Sequence, residues 1–227
     1  MMLERDEPMK NGTAARELPD AERRGRKASK ETRRLQLIEA TIDSLSKRGY
    51  AETTLADVAD GAGLSRGIVN FHFESKDKLL VATLQFMADE YAAHWRSALD
   101  RAGDDPAARL RALVAADFDR AVCNRRKLAA WCAFWGEAKS RPTYQALCGA
   151  RDRVYQDTIV DLCGALIEDG DYPLEPKQTA LAIDAMLEGL WLRLMISSDE
   201  MTREKAHAAA VAMLAALFPR HFPRPDK

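Results

Sequence analysis

Three groups of residues in this 227-residue chain have types and spacings that could do chemistry. In SRGIVNFHF, Arg66 and Asn70 lie four apart and so share one face of a helix, with Gly67 between them. Arg and Asn are the side chains best shaped to read guanine and adenine edges in a major groove, and a Gly between them lets the backbone come close to a duplex. A generic helical hairpin carries a similar pattern. The second group, Trp131, Phe134 and Trp135, concentrates aromatic faces on one short segment, with Trp131 and Trp135 at i, i+4. The third, Asp184, Glu188 and Trp191, falls at i, i+4, i+7 and shares one stripe of an otherwise apolar segment. Acids in such a setting need solvent, a partner such as Arg193 or Arg151, or a bound cation. Aromatic faces hold cations too, but the same spacing suits an ordinary core, and Trp191 equally suits a subunit interface.

Other chemistries lack their residues. There is no Gly-rich phosphate loop, no metal-ligand spacing and no nucleophile motif, and His94, His207 and His221 are scattered, so an enzyme, a metal site and a cofactor are not expected. Cys123, Cys132, Cys148 and Cys163 sit in helical apolar patterns and read as reduced, mostly buried thiols. No apolar run reaches about 18 residues, and the first thirty residues are too charged for a signal peptide, so no membrane partner and a cytoplasmic location are expected. Net charge is −1, which argues against indiscriminate coating of nucleic acid, but residues 23–34 hold seven basic residues and one acid. That segment reads as a basic arm or as a solvated tail.

The elements that must position these groups are all helical. Residues 1–30 mix Pro, Gly and charge without a period and read as a disordered basic extension. Leu35, Ile38, Ile42 and Leu45 predict a helix over about 31–48, ended by Gly49. Thr53 or Thr54 then caps a short helix closed by Gly61 and Gly63, and Ser65 caps a third through about Phe71. Two short helices joined by a Gly-containing turn make a helix-turn-helix over about 54–73. A long helix from Ser75 to about Ala102 follows, then helices near 106–122, 126–139, 142–169, 175–196 and 202–217, about nine in all, with no β-type alternation. The last two are apolar on more than one side, which suits either the chain's own core or a symmetric dimer.

The stretch TTLADVADGAGLSRGIVNFHFESKDKLL resembles the DNA-binding domain of the TetR family of bacterial transcriptional repressors. AAWCAFWGEA (129–138) and AMLEGLWLRLMIS (185–197) look like the effector domain of the BetI-type repressors, which respond to choline and control glycine betaine synthesis. The resemblance implies a DNA-binding domain at 31–91 and an effector-binding and dimerisation domain at 92–227. It implies a homodimer, joined through the last two helices, that binds a palindromic duplex operator and is released by a small-molecule inducer. It also implies DNA contacts from Thr53, Thr54, Ser65, Arg66, Gly67, Asn70, Phe71, His72 and Lys76, with Thr54, Ser65, His72 and Lys76 on phosphates and Arg66, Gly67 and Asn70 facing bases. The effector set it implies is Trp131, Phe134, Trp135, Asp184, Glu188 and Trp191. Two departures stand out. Many family members carry a tyrosine pair where this chain has Asn70 and Phe71, and BetI-type recognition helices have Thr where it has Arg66. Asn70 then bonds a phosphate or an adenine, Phe71 offers apolar contact to a thymine methyl, and the operator need not be the betaine one. A regulator of another pathway or of efflux, answering a different ligand, is the alternative.

Overall fold

A computed structural model of the chain describes residues 20–197 and 199–223, with side chains described from residue 29 onward except 148–152. Helices carry it: α1 (Asp20–Glu52), α2 (Leu55–Ala62), α3 (Arg66–Phe73), α4 (Lys76–Arg101), α5 (Pro106–Asp117), α6 (Arg125–Ala138), α7 (Pro142–Gly170), α8 (Pro176–Ile196) and α9 (Arg203–Leu217). No strand occurs among the described residues. The all-α reading of the periodicity therefore holds. By its contacts the chain divides into two units, Met1–Leu35 and Gln36–Lys227.

In the first unit the described backbone is helical from Asp20 onward, so α1 begins earlier than the expected start at 31. Ala, Glu, Arg and Lys are strong helix formers, and a helix already nucleated by a packed segment extends without needing an apolar face of its own. Residues 1–19 of the expected extension lie outside the described residues. Leu35, placed on the apolar stripe by periodicity, is exposed, while Leu37 joins Ile38, Ile42 and Leu45 in the core.

In the second unit Gly49, at φ +80°, breaks α1 one turn before its end. Thr54 caps α2 in a reciprocal box: its Oγ1 accepts from the Asp57 amide at 3.2 Å, and Asp57 Oδ2 accepts from the Thr54 amide at 3.0 Å. Gly63, at φ +64°, closes α2, where its amide donates to Ala59 and Asp60 and the left-handed turn sends the chain into α3. Val69 and Phe73 then fasten α3 to the core from its underside. The 91/92 position falls inside α4, whose buried face runs from Leu79 to Leu99 without a break.

α5 stops at Asp117 and not near 122. Asp119 Oδ1 accepts from the Ala121 amide at 2.7 Å, a local turn that competes with helix, and Asn124 caps α6 by accepting from the Lys127 amide at 3.0 Å. Val122 and Cys123 are buried inside this turn. Cys123 and Cys163 are free thiols pushed up to about 12 by burial, and Cys132 is free and half-buried; Cys148 lies outside the described side chains.

Candidate functional site

The α2–α3 pair presents a polar edge above its apolar underside. Ser65, Arg66, Gly67, Asn70 and Phe71 are all exposed, Phe71 at 71%. The spacing argument for Arg66 and Asn70 thus corresponds to a surface-facing side of α3, opposite Val69 and Phe73. Ser65 occupies the N-cap with extended backbone but makes no side-chain cap hydrogen bond. Thr54 does cap, and its hydroxyl donates to Asp57 at 2.6 Å, which holds the Asp57 carboxyl below the usual carboxylate range. His72 is half-buried between the rings of Phe71 and Phe73, at 5.2 and 6.4 Å.

Two residues expected on DNA are committed elsewhere. Thr53 is 1% exposed, donates its hydroxyl to the Gly49 carbonyl at 2.7 Å and accepts from Ser44 at 3.2 Å. It repairs the carbonyl that the Gly49 break exposes and cannot reach a phosphate. Lys76 Nζ donates to the carbonyls of Tyr50 and Ala51, each at 3.2 Å, and lies 5.6 Å over the Tyr50 ring. An ammonium there offsets the partial negative charge at the C-terminal end of α1 and joins α4 to α1.

The second site is a cavity of about 310 Å³ enclosed by α4, the end of α5, α6, α7 and α8. Of the six expected effector residues, Trp131, Trp135, Asp184, Glu188 and Trp191 line it. Phe134 does not. It is 1% exposed and meets Tyr50 and Tyr144 edge-on at 6.3 and 5.5 Å, since it stands about 100° round the helix from Trp135, on the flank that packs against Tyr50. The wall is a chain of rings: Trp131 stacks on Trp135, Trp135 on Trp191, and Trp191, Tyr91, Tyr155 and Trp95 follow with successive centroids 5.5–5.8 Å apart. Pairing of the acids with Arg151 lies outside the described side chains.

Sequence reasoning missed Tyr91, Trp95, Asp117 and Gln156 as lining residues. Asp117, at the last position of α5, is 2% exposed. It accepts from Tyr91 Oη at 2.6 Å on Oδ1 and from Tyr155 Oη at 3.0 Å on Oδ2, while its carbonyl accepts from Trp191 Nε1 at 3.0 Å. Burial raises its carboxyl to about 7, against the two phenol hydrogen bonds and with a further push from Asp184. Burial also raises Asp184, partly offset by the hydrogen bond it accepts from Gln156. A signal existed in sequence: Asp117 closes a run of apolar residues, the same oddity that drew notice to Asp184 and Glu188 in α8.

The family model "Bacterial regulatory proteins, tetR family" matches residues 37–83, and "BetI-type transcriptional repressor, C-terminal" matches 106–219. The HTH-type transcriptional regulator BetI of Burkholderia thailandensis is 37% identical over 165 residues, 72% of this chain and 82% of that one. That of Paraburkholderia xenovorans is 34% identical over 181 residues, 78% and 89% of the two chains. A putative transcriptional regulator from Pseudomonas aeruginosa PAO1 superposes with a TM-score of 0.72 at 26% identity, covering 85% of this chain and 94% of its own. A putative transcriptional regulator from Saccharomonospora viridis, solved in complex with choline, shares the fold with a TM-score of 0.72 at 18% identity, over 81% of this chain and 96% of that one. The chain belongs to the TetR family of bacterial transcriptional regulators and is a repressor of the BetI type.

Proposed function

We propose that this repressor binds a near-palindromic duplex operator as a homodimer, reads bases with Arg66, Gly67 and Asn70, and is released by a small quaternary ammonium ion such as choline. Control of glycine betaine synthesis genes follows from that ligand and from the BetI relatives. One observation carries the ligand reading: the cavity joins aromatic faces to carboxylates, two of which already accept hydrogen bonds from within the protein. Both oxygens of Asp117 accept from phenols and Asp184 accepts from Gln156. A protonated amine brings N–H donors that require acceptors, and at Asp117 it would have to share oxygens that two phenols already use. A quaternary ammonium has no donor, so it takes the negative field and the ring faces without disturbing them.

The dimer reading draws on α8 and α9. Ala182, Ala185, Gly189, Leu192 and Ile196 are exposed at spacings of three and four, hence on one side of α8, and Ala209, Ala212, Met213 and Ala216 are exposed on α9. Small residues admit close helix approach, and a second copy covers such a face by self-complementarity. Two-fold symmetry then demands half-sites about one DNA turn, roughly 34 Å, or a multiple apart.

The test is fluorescence anisotropy of a duplex taken from just upstream of the protein's own gene, at fixed salt, with and without choline. Specific binding that choline weakens is expected. Specific binding indifferent to choline overturns the ligand while leaving the repressor, and a duplex bound no better than random sequence overturns that operator assignment.

A further inference from the structure

The lining of the effector cavity is unbalanced in charge. Among the described residues it includes Asp117, Asp184 and Glu188 but no Lys, Arg or His. Asp117 is the most enclosed of the three acids. The groups facing it are the Tyr91 phenol from α4, the Tyr155 phenol from α7, the Asp184 carboxyl from α8 and the Cys123 thiol of the turn after α5, with Arg203 of α9 acting on that thiol. The phenols are themselves raised well above their ordinary range by burial, so they stay protonated. None of these groups is a cation in direct contact with the carboxyl.

A carboxylate so placed is costly while the cavity is empty and is compensated once a cation enters. We propose that Asp117 is a specificity-determining residue of this pocket: it is held as the neutral acid in part of the empty protein, ionises when a cationic ligand enters, and releases its proton to solvent as the ligand binds. In the neutral acid one oxygen donates and the phenol on that side turns to accept. In the ionised form both phenols donate. Charge balances without a counter-ion, because one cation enters as one proton leaves. The pocket thereby discriminates between a cation and its neutral isostere in a pH-dependent way. The inference rests on the reading of the ligand as an organic cation.

Since the free carboxyl titrates near neutrality, the fraction ready for a cation rises with pH. Isothermal titration of the full-length protein with choline chloride at pH 6, 7 and 8, in two buffers of different ionisation enthalpy, reads both affinity and proton release. The expected result is an affinity about tenfold tighter at pH 8 than at pH 6, with proton release that fades toward pH 8. Asp117→Asn keeps the shape and is expected to bind choline more weakly, with no pH slope, while its binding of the neutral isostere 3,3-dimethyl-1-butanol is retained. Tyr91→Phe is the second variant: it removes a hydrogen bond that favours the ionised form, so its slope is expected to shift to higher pH. Choline affinity that is flat in the wild type, or a slope that survives Asp117→Asn, overturns the inference while leaving the cation reading intact. No response to choline at any pH overturns the cation reading and this inference with it.

Discussion

Arg66 and Thr53 occupy contrasting places in the helix-turn-helix, one exposed on α3 and the other buried just past α1. Arg66 stands exposed on α3 beside Gly67, and its removal costs the protein no packing. Arg66→Ala is expected to lower operator affinity by about 1–3 kcal/mol, roughly five- to 150-fold, and to relax preference at one base pair while the melting temperature stays unchanged. Thr53→Ala is expected to do the reverse, because its hydroxyl satisfies the Gly49 carbonyl in a buried setting. The loss is about 1–3 kcal/mol of stability with operator affinity of the folded protein retained. Anisotropy and thermal unfolding on the two variants check this, and a Thr53 variant with normal stability and poor binding would reverse the assignment. The sequence could not separate Thr53 from Thr54, since both suit an N-cap. What decides is the break at Gly49, which strands a carbonyl that only the earlier threonine reaches. The bonds of Lys76 to the end of α1 were hidden for a related reason: a lysine at a helix start looks the same in sequence whether it faces solvent or the end of another helix.

Among the elements, α6 has contacts on two sides. One side gives Trp131 and Trp135 to the cavity, and the other puts Phe134 against Tyr50 at the end of α1. Its N-terminal end is tied to α1 through Arg126, which pairs with Glu39 and Asp43. Past its C-terminal end, Arg141 pairs with Asp77 at the start of α4 at 3.0 Å and with Glu137 at 3.5 Å, and lies over the rings of Tyr50 and Tyr144, whose hydroxyls are 2.7 Å apart. A ligand that moves the Trp131 and Trp135 rings therefore pulls on the end of α1 and the start of α4, the two helices that flank α2 and α3. Periodicity placed α6 and its two tryptophans correctly, yet this joint was invisible in sequence because Tyr50, Asp77, Glu137, Arg141 and Tyr144 meet only in the fold. The cavity was half legible for the same reason: helical spacing groups residues on one helix, whereas Tyr91, Asp117 and Tyr155 converge from three. Arg141→Gln is expected to leave choline quenching of the tryptophan fluorescence intact while reducing the fold-change that choline produces in operator affinity. Equal fold-changes in wild type and variant would show that the α6–α7 corner does not relay the signal.

At the scale of the whole molecule, the apolar content of α8 and α9 exceeds what one copy of the chain buries. Their inner residues, Ile183, Leu187, Trp191, Ala206, Ala210 and Leu214, belong to the core, while Leu192 and Ile196 on the other side of α8 are exposed, Ile196 at 66%. Water contact with such a face is unfavourable by roughly 25 cal/mol per Å² of apolar surface, so covering it with its own symmetry copy is the available gain. The requirement reaches back to the DNA. A single α3 makes only one set of groove contacts, and a palindromic operator rewards the protein only when two recognition helices are held one turn apart. Leu192→Glu places a charge on the exposed face without touching the core, so the helical circular dichroism is expected to remain. The mass in solution is expected to fall from twice the 25.3 kDa of the chain to that of a single chain, as read by light scattering. Operator affinity should fall with it, by more than the loss from Arg66→Ala, because half of the contacts are lost at once and not one residue's share. A variant that stays dimeric and binds normally would move the two-fold axis to another face. Light scattering with anisotropy on the same sample separates that outcome from a monomer that still binds tightly, which would instead count against the palindromic operator.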